Sequence, residues 1–245
     1  SYEYTGSPLT PEPVVKSGGT ILNKDQDYTL DYDSNTEPGT ATVTVTGAGN
    51  CVGEISKTFN IEPADITNYN VTLDPASAVY TGSAIEPNVT VTREVAGTEG
   101  TETIELVKDT DYTVSYSDNV DAGTATVTVT GTGNYTGTAT QYFDIVGKDI
   151  RGGTATLGAT AYVYNGAFRK PAVTVTVDGE ALTEGTDYTV AYKNNKSVGK
   201  ATVTITGTGN YTGTVTKTFK INPKGTAIKA PAKLKKGFTA KWSKQ

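Results

Sequence analysis

The side chains that could do chemistry in this chain are carboxylates and lysines, because the sequence contains no histidine and a single cysteine, Cys51. Without histidine the chain lacks the usual general base and the commonest metal ligand. One cysteine excludes an internal disulfide and a thiolate-cluster zinc site. The sequence also holds no P-loop, no Rossmann glycine pattern and no G-x-S-x-G. We therefore predict no catalytic residue, no cofactor and no enzymatic activity.

The densest acidic cluster is the segment "DQDYTLDYD" at residues 25–33. Its four candidate ligands have the same parity, so on a strand they would share one face. These residues are Asp25, Asp27, Asp31 and Asp33. Calcium takes about six to eight oxygen ligands, and alternate residues of a strand stand roughly 6.6–6.8 Å apart, so one strand cannot surround an ion. We expect no bound metal and interpret the cluster as a solvated acidic face, with a calcium site as the alternative.

Two lysines occupy equivalent and unusual positions, Lys57 and Lys217. Their parity on the predicted strand matches Val215 and Phe219, which points them towards the core. An inward charge on an edge strand protects against edge-to-edge aggregation, and a long side chain can reach solvent from there. The alternative is an internal lysine–asparagine or lysine–aspartate crosslink. Gln141, at the equivalent position of the middle repeat, cannot form that bond.

Three copies of one module fill most of the chain. The peptide "GTGNYTG" occurs at residues 131–137 and 207–213, and "GAGNCVG" occurs at 47–53. The first and third copies align without a gap at an offset of 160 residues. The middle copy carries extra residues between Pro87 and Asp111, in "REVAGTEGTETIE", which we predict to form a lengthened surface hairpin.

The elements that position these residues are strands. In "GTATVTVTG" at 123–131, alanine and valines alternate with threonines, which indicates strands buried on one side. No helical pattern competes with this period of two. We predict an all-β chain, a tandem array of three small antiparallel immunoglobulin-like β-sandwich modules. The expected modules are residues 1–66, without an opening strand, 67–150, with the insertion, and 151–225, followed by a basic tail at 226–245.

The recurring glycine-rich peptide is predicted to be a turn that joins two strands. Its glycines and asparagine supply the positive φ angles that a tight connection needs. Tyr135 and Tyr211 would then cover the end of the core, and Cys51 would fill the same place as a smaller apolar group. A ligand-contacting loop is the alternative.

The pattern "YTG…P.VTV…L..GTDYTVSY..N…GTATVTVTGTGNYTGT.TKTF.I" resembles the bacterial immunoglobulin-like repeats of the MBG type, found along exported proteins of Gram-positive bacteria. The resemblance covers nearly all of residues 1–225. The segment "KLKKGFTAKWSKQ" at 233–245 is similar to the opening strand of a fibronectin type III-like domain. The resemblance implies an extracellular, non-catalytic architecture in which the recurring residues form turns and core.

From these features we expect a structural stalk or spacer segment of a bacterial cell-surface or secreted protein. The alternatives are an adhesion module that binds host glycans or proteins, and an accessory segment of a large secreted glycan-degrading enzyme. We expect no nucleic-acid partner, since the net charge is −5, and no membrane insertion. The basic tail could also dock on the acidic first module and produce weak head-to-tail self-association.

Overall fold

A computed structural model of the chain describes residues 1–97 and 100–225. In this part nearly all regular structure is β-strand, and the two helical elements are single 3₁₀ turns, Ile66–Asn68 and Ile150–Gly152. β-Branched residues at alternate positions explain this outcome, because they pack well on a pleated sheet.

The first repeat has a four-stranded sheet in the order β1-β6-β5-β4 and a separate short hairpin, β2-β3. Its strands are β1 (Tyr2–Glu3), β2 (Lys16–Ser17), β3 (Thr20–Ile21), β4 (Tyr28–Asp33), β5 (Gly39–Gly47) and β6 (Glu54–Glu62). A two-residue strand, β7 (Ala64–Asp65), follows β6 and leads into the first 3₁₀ turn.

The second repeat has two sheets, in the orders β11-β10-β8 and β12-β13-β15-β9. Its strands are β8 (Asn70–Asp74), β9 (Ser77–Val79), β10 (Asn88–Gly97), β11 (Gly100–Glu105), β12 (Tyr112–Ser117), β13 (Gly123–Gly131), β14 (Tyr135–Thr136), β15 (Thr138–Val146) and β16 (Lys148–Asp149). The extra residues lie in the antiparallel hairpin of β10 and β11, which pair from Thr92–Glu105 to Gly97–Gly100. The tip of this insertion, at 98–99, lies outside the described residues.

The third repeat repeats this arrangement, with sheets in the orders β17-β19-β20 and β18-β24-β22-β21. Its strands are β17 (Thr154–Leu157), β18 (Ala161–Val163), β19 (Val173–Val177), β20 (Glu180–Ala181), β21 (Tyr188–Lys193), β22 (Gly199–Gly207), β23 (Tyr211–Thr212) and β24 (Thr214–Asn222). The predicted basic tail, 226–245, lies outside the described residues.

The two sheets of the third repeat enclose one apolar core. One sheet contributes the alternate valines of β19, and the other contributes residues of β21, β22 and β24. The buried members are Ile150, Ala155, Val173, Val175, Val177, Tyr188, Ala201, Val203, Ile205, Phe219 and Ile221. The intervening threonines face outwards, so the predicted alternation is the alternation observed. The prediction of an all-β tandem of immunoglobulin-like sandwiches is confirmed.

The repeats are not wholly antiparallel. In the first repeat β1 runs parallel to the end of β6, and in the third repeat β18 runs parallel to the end of β24. In the third repeat, β17 belongs to one sheet and β18 to the other. The opening segment of the repeat therefore adds one strand to each of the two sheets. The local alternation of residues predicts the strands but not this change of sheet.

The Asp-Tyr-Thr motif makes the same local contact in each repeat and links the two sheets of the second and third repeats. Its aspartate accepts a backbone N–H four residues earlier in all three copies, as Asp27 does from Asn23 at 2.9 Å. Its tyrosine is buried, and the Tyr188 hydroxyl donates to the Val173 carbonyl at 3.1 Å, which links the two sheets. Buried tyrosines on the core face are what the sequence predicts here, and the Tyr112 hydroxyl likewise donates to the Val89 carbonyl at 3.0 Å.

The described chain falls into two compact units. One comprises residues 1–77, 85–119 and 124–144, and the other comprises residues 78–84, 120–123 and everything from 145 to the end of the described part. The division runs through the second repeat. The three-module boundaries near residues 66 and 150 stay a prediction.

Candidate functional site: the junctions between repeats

The glycine-rich peptide of the second repeat receives the linker that leaves the first, and both lie in the same compact unit. Strand β7 runs parallel to β14, with Ala64 opposite Tyr135 and Asp65 opposite Thr136. The Ala64 N–H donates to the Asn134 carbonyl at 3.0 Å. The peptide is therefore both a turn, as predicted, and an acceptor for an incoming strand.

The same pairing occurs where the second repeat passes into the third, within the other unit. Strand β16 runs parallel to β23, with Lys148 opposite Tyr211 and Asp149 opposite Thr212. The Lys148 N–H donates to the Asn210 carbonyl at 2.9 Å. The two junctions use equivalent atoms, although the linker residues Ala64 and Lys148 differ in size and charge.

An aspartate and an isoleucine fix each linker after its strand. The Asp65 carboxylate accepts the Thr67 N–H at 3.0 Å and caps the 3₁₀ turn, and Asp149 does the same for Arg151 at 2.9 Å. Ile66 and Ile150, the next residues, are 0% and 1% exposed. The cap satisfies a free backbone donor, and the isoleucine anchors the turn in the core.

Hydrogen bonds lower the pKa of both capping carboxylates below the usual aspartate value. For Asp65 the main cause is the bond from the Thr67 N–H, and the Thr67 side chain adds to it. For Asp149 the main cause is the bond from the Arg151 side chain, followed by the Arg151 N–H. Each aspartate is thus held in the ionised form that accepts these bonds.

The last position of the peptide needs a glycine for two reasons, its backbone conformation and the closeness of the capping aspartate. Gly137 and Gly213 have φ of +83° and +86°, a region that L side chains rarely adopt. A Cβ at either position would also overlap the capping carboxylate, Asp65 or Asp149 respectively. The glycine therefore admits both the turn and the aspartate.

Tyrosine rings complete the first junction. Tyr135 makes edge-to-face contacts with Tyr4 and Tyr69, with ring centroids 5.6 and 5.9 Å apart. Burial raises the pKa of Tyr135 to about 12. Edge-to-face pairs at this spacing are favourable. Tyr135 was predicted to cover the end of the core, and the structure adds that it packs against residues on both sides of the junction.

At the second junction, Tyr211 also packs against residues on both sides. Its ring lies edge-on to Tyr80 with centroids 5.7 Å apart, and it also packs against the third core.

The asparagine of each peptide adds a polar contact. Asn134 donates to Glu37 at 2.6 Å, while Asn210 donates to Asp121 at 2.9 Å and accepts the Ala122 N–H at 2.7 Å.

The four aspartates of the acidic cluster are not brought together. The Asp27 carboxylate accepts the Asn23 N–H within its own turn, and Asp25 lies in a tight turn with φ of 63°. Asp31 and Asp33 are exposed on β4. Across residues 1–97 and 100–225, no group of three or more acidic or cysteine side chains could hold a metal ion. The alternative of a calcium site at Asp25, Asp27, Asp31 and Asp33 therefore has no geometry to support it in this part of the chain.

Lys57 and Lys217 lie on the side of the sheet that the sequence predicts, but their side chains are exposed. Their cross-strand neighbours Val43 and Val203 are buried, so the parity is right. They are exposed because β6 and β24 gain their second neighbour only at their far ends, which leaves these lysines at a sheet edge. Neither lysine forms an ion pair within the described residues. The crosslink stays an untested alternative.

Sequence reasoning missed the junction, although a signal was present. Asp-Ile recurs at 65–66 and 149–150, each time shortly before a repeat whose peptide contains tyrosine. Its recurrence before both tyrosine-containing peptides is the signal that could have pointed to contact between linker and peptide.

The comparisons with known proteins do not identify a family for this chain. No protein-family profile matches the chain, and no curated protein does. Among solved structures it is similar to one in the crystal structure of Dpr2 Ig1-Ig2 in complex with DIP-Theta Ig1-Ig3. The identity is 9%, the match covers 84% of this chain and 83% of that chain, and the TM-score is 0.25. A likeness this low carries no argument. No helix among the described residues is long and apolar enough to cross a membrane.

Proposed function

We propose that the chain is a non-catalytic spacer segment of an exported bacterial surface protein, built from repeats of the MBG type. Its role is to hold successive repeats in a fixed mutual arrangement and so to set the distance between the domains on either side. The resemblance of residues 1–225 to such repeats supports the bacterial and extracellular setting.

The observation that carries this proposal is the repetition of one junction. Backbone pairing, a capping aspartate, a buried isoleucine and a tyrosine pair occur at both linkers. A flexible tether needs none of these features, since a few polar residues suffice. Their presence twice indicates that restricted motion at the linker is a property of the repeat.

Distance measurements between spin labels test this. Thr46 and Thr130 are exposed threonines at equivalent positions of β5 and β13, so cysteines there can be labelled after Cys51→Ser. We expect one narrow distance distribution. Gly137→Ala should broaden it, because the new methyl group displaces Asp65.

The matched control is Gly133→Ala. Gly133 also has positive φ, +63°, but its nearest neighbour, the Thr110 carbonyl oxygen, lies at an ordinary 3.7 Å. This variant should keep the narrow distribution. A broad distribution in the unmodified chain would contradict the spacer role. Selective binding on a glycan array, at a site that survives Gly137→Ala, would favour the adhesion alternative.

A further inference from the structure

The third repeat has a surface cavity where β22 begins and β24 ends, with a volume of about 370 Å³. We call it the lysine cavity. It is lined by Thr160, Gly199, Lys200, Thr218, Phe219 and Lys220. Lys200 and Lys220 are exposed, whereas Ala201 and Phe219, their neighbours along the two strands, are buried. The two lysines therefore belong to the side of the sheet that faces away from the core.

The two lysines are directly opposite each other. Lys200 of β22 pairs with Lys220 of β24 in the antiparallel register, which places their Cβ atoms about 4.5–5.5 Å apart. Like charges at opposite positions destabilise a sheet. Neither ammonium group forms an ion pair within residues 1–97 and 100–225. The third repeat therefore holds two unneutralised positive charges at one cavity.

The earlier repeats have compatible pairs at the same position. The Thr40 hydroxyl donates to Asn60 at 3.4 Å in the first repeat, and the Thr124 hydroxyl donates to Asp144 at 2.9 Å in the second. Each of these pairs joins the two strands through a hydrogen bond between side chains. The fold does not require lysines at this position, so the repulsion in the third repeat calls for an explanation other than stability.

The surroundings of the lysine cavity supply hydroxyl groups and no negative charge. Thr218 precedes Lys220 by two positions on the same face, and the Thr160 carbonyl accepts the Lys220 N–H at 2.9 Å, which holds Thr160 beside the cavity. Lys193 is exposed on the same face of the neighbouring strand, β21. The outward positions of β21, β22 and β24 hold threonines, one alanine and these three lysines, and no carboxylate. The chemistry of the face is that of an anion site.

We propose that the lysine cavity binds a ligand with two adjacent phosphate groups, Lys200 and Lys220 holding one group and Lys193 attracting the other. A phosphate group carries roughly −1.5 to −2 charges at pH 7, which two ammonium groups can neutralise. Lysine binds phosphate as a point charge, whereas the planar fork of arginine suits a carboxylate better. The hydroxyls of Thr160 and Thr218 add donors for the phosphate oxygens. The proposal does not depend on the spacer role.

The probe is pyrophosphate, titrated into the full chain at constant ionic strength and followed by the amide chemical shifts in NMR spectra. We expect saturable shifts confined to this end of β22 and β24. Citrate, a tricarboxylate of similar charge, should bind at least about tenfold more weakly, because lysines offer it no bidentate partner. Equal affinity for the two anions, or no saturable shift with pyrophosphate, would overturn the proposal.

Lys200→Thr gives the third repeat the residue that both earlier repeats have at this position. The variant should bind pyrophosphate at least about tenfold more weakly, because one of the two paired charges is lost. Without pyrophosphate, the resonances of β22 should persist to a higher temperature, because the repulsion across the strands is removed. A lysine with a merely structural role would not produce these two opposite effects, and unchanged affinity would contradict the proposal.

The matched control is Lys217→Thr, which removes the same charge from the same strand. Lys217 is exposed but does not line the cavity, so the affinity for pyrophosphate should stay unchanged. Equal weakening in the two variants would show that net charge alone attracts the anion, and would overturn the proposal.

A second copy of the chain is the competing occupant, because Asp33, the equivalent of Lys193 in the first repeat, is exposed on β4. Sedimentation of the chain at low salt tests it. We expect no association that depends on Lys200. Self-association that Lys200→Thr abolishes would show that an acidic face of another copy covers the lysines, and would refute phosphate as the occupant.

Discussion

Asp65 Oδ1 lies against Gly137 so closely that a methyl group on the glycine would overlap it. Asp149 and Gly213 repeat the relationship, whereas Gly53, at the same place in the first repeat, has open space around its Cβ position. The three glycines share positive φ and differ in this one neighbour. They therefore separate the cost of the backbone conformation from the cost of disturbing a junction.

Gly137→Ala should open the first junction. Alanine at this φ costs roughly 1–2 kcal/mol, and the displaced Asp65 adds to it. We expect the Ala64 amide, which is bonded to Asn134, to lose protection in a hydrogen-exchange measurement. Gly53→Ala carries the same backbone cost without the overlap and should leave the Ala64 amide protected. Equal loss in both variants would show that the aspartate contact is immaterial.

Acid should weaken both junctions. The folded-state pKa values of Asp65 and Asp149 are lowered, so their contribution is fully present above the unfolded value of 3.8 and is lost as pH falls below it through the folded values. Carbon NMR titration of the two carboxyl groups should give midpoints below 3.8. Asp65→Asn should remove the acid dependence of Ala64 protection and leave that of Lys148 unchanged.

Alkali should act on Tyr135. Its folded pKa is raised from 10.0 to about 12 by burial, so the stability it contributes is present below pH 10 and is lost as pH rises from 10 to about 12. Burial also raises the pKa of six other tyrosines, Tyr32, Tyr112, Tyr116, Tyr188, Tyr192 and Tyr211. In a spectrophotometric titration, Tyr135→Phe should therefore remove one phenol from the late-ionising group. Tyr142, which is 62% exposed, provides the control position.

The intact mass should equal that of the unmodified sequence. Lys57 and Lys217 are exposed, and an internal crosslink needs a lysine beside a carboxyl or amide group in an apolar pocket. Loss of one ammonia per bond in the intact mass, abolished by Lys57→Arg or Lys217→Arg, would instead establish the crosslink and show that the edge lysines are drawn inwards.

Chelators should not change the melting temperature. The carboxylates of Asp25, Asp31 and Asp33 are separated on the outer surface, and Asp27 is bonded within its own turn. We expect identical thermal unfolding curves with and without a calcium chelator. A fall of several degrees, reversed by added calcium and absent in Asp31→Asn, would restore the acidic segment as a metal site.

The strands could be predicted from the sequence because the signals that specify them are local. The alternation in "GKATVTITG" at residues 199–207 decides both the element and its buried face, so Ala201, Val203 and Ile205 are buried as predicted. Lys217 shows the limit of that reasoning, because parity gives the face of the sheet but not whether a neighbour covers its edge.

The junction depends on pairing between residues far apart in the chain. Ala64 and Asn134 are hydrogen-bonded across seventy positions, and no local periodicity encodes that pairing. The glycines of the peptide predict a turn correctly, because positive φ is a local property. They do not reveal that the outer side of the turn accepts a strand, which follows only from the matching Asp-Ile of the linker.

The parallel pairs β1–β6 and β18–β24 join the opening segment of a repeat to its final strand. Because the two strands run in the same direction, a pull on the two ends of a repeat slides one along the other. Tension along the chain would therefore load their hydrogen bonds in shear and together, whereas an antiparallel pair at the same place would peel apart one bond at a time. Under such tension, the entry and exit strands of these two repeats would separate only when all the hydrogen bonds of the pair break together.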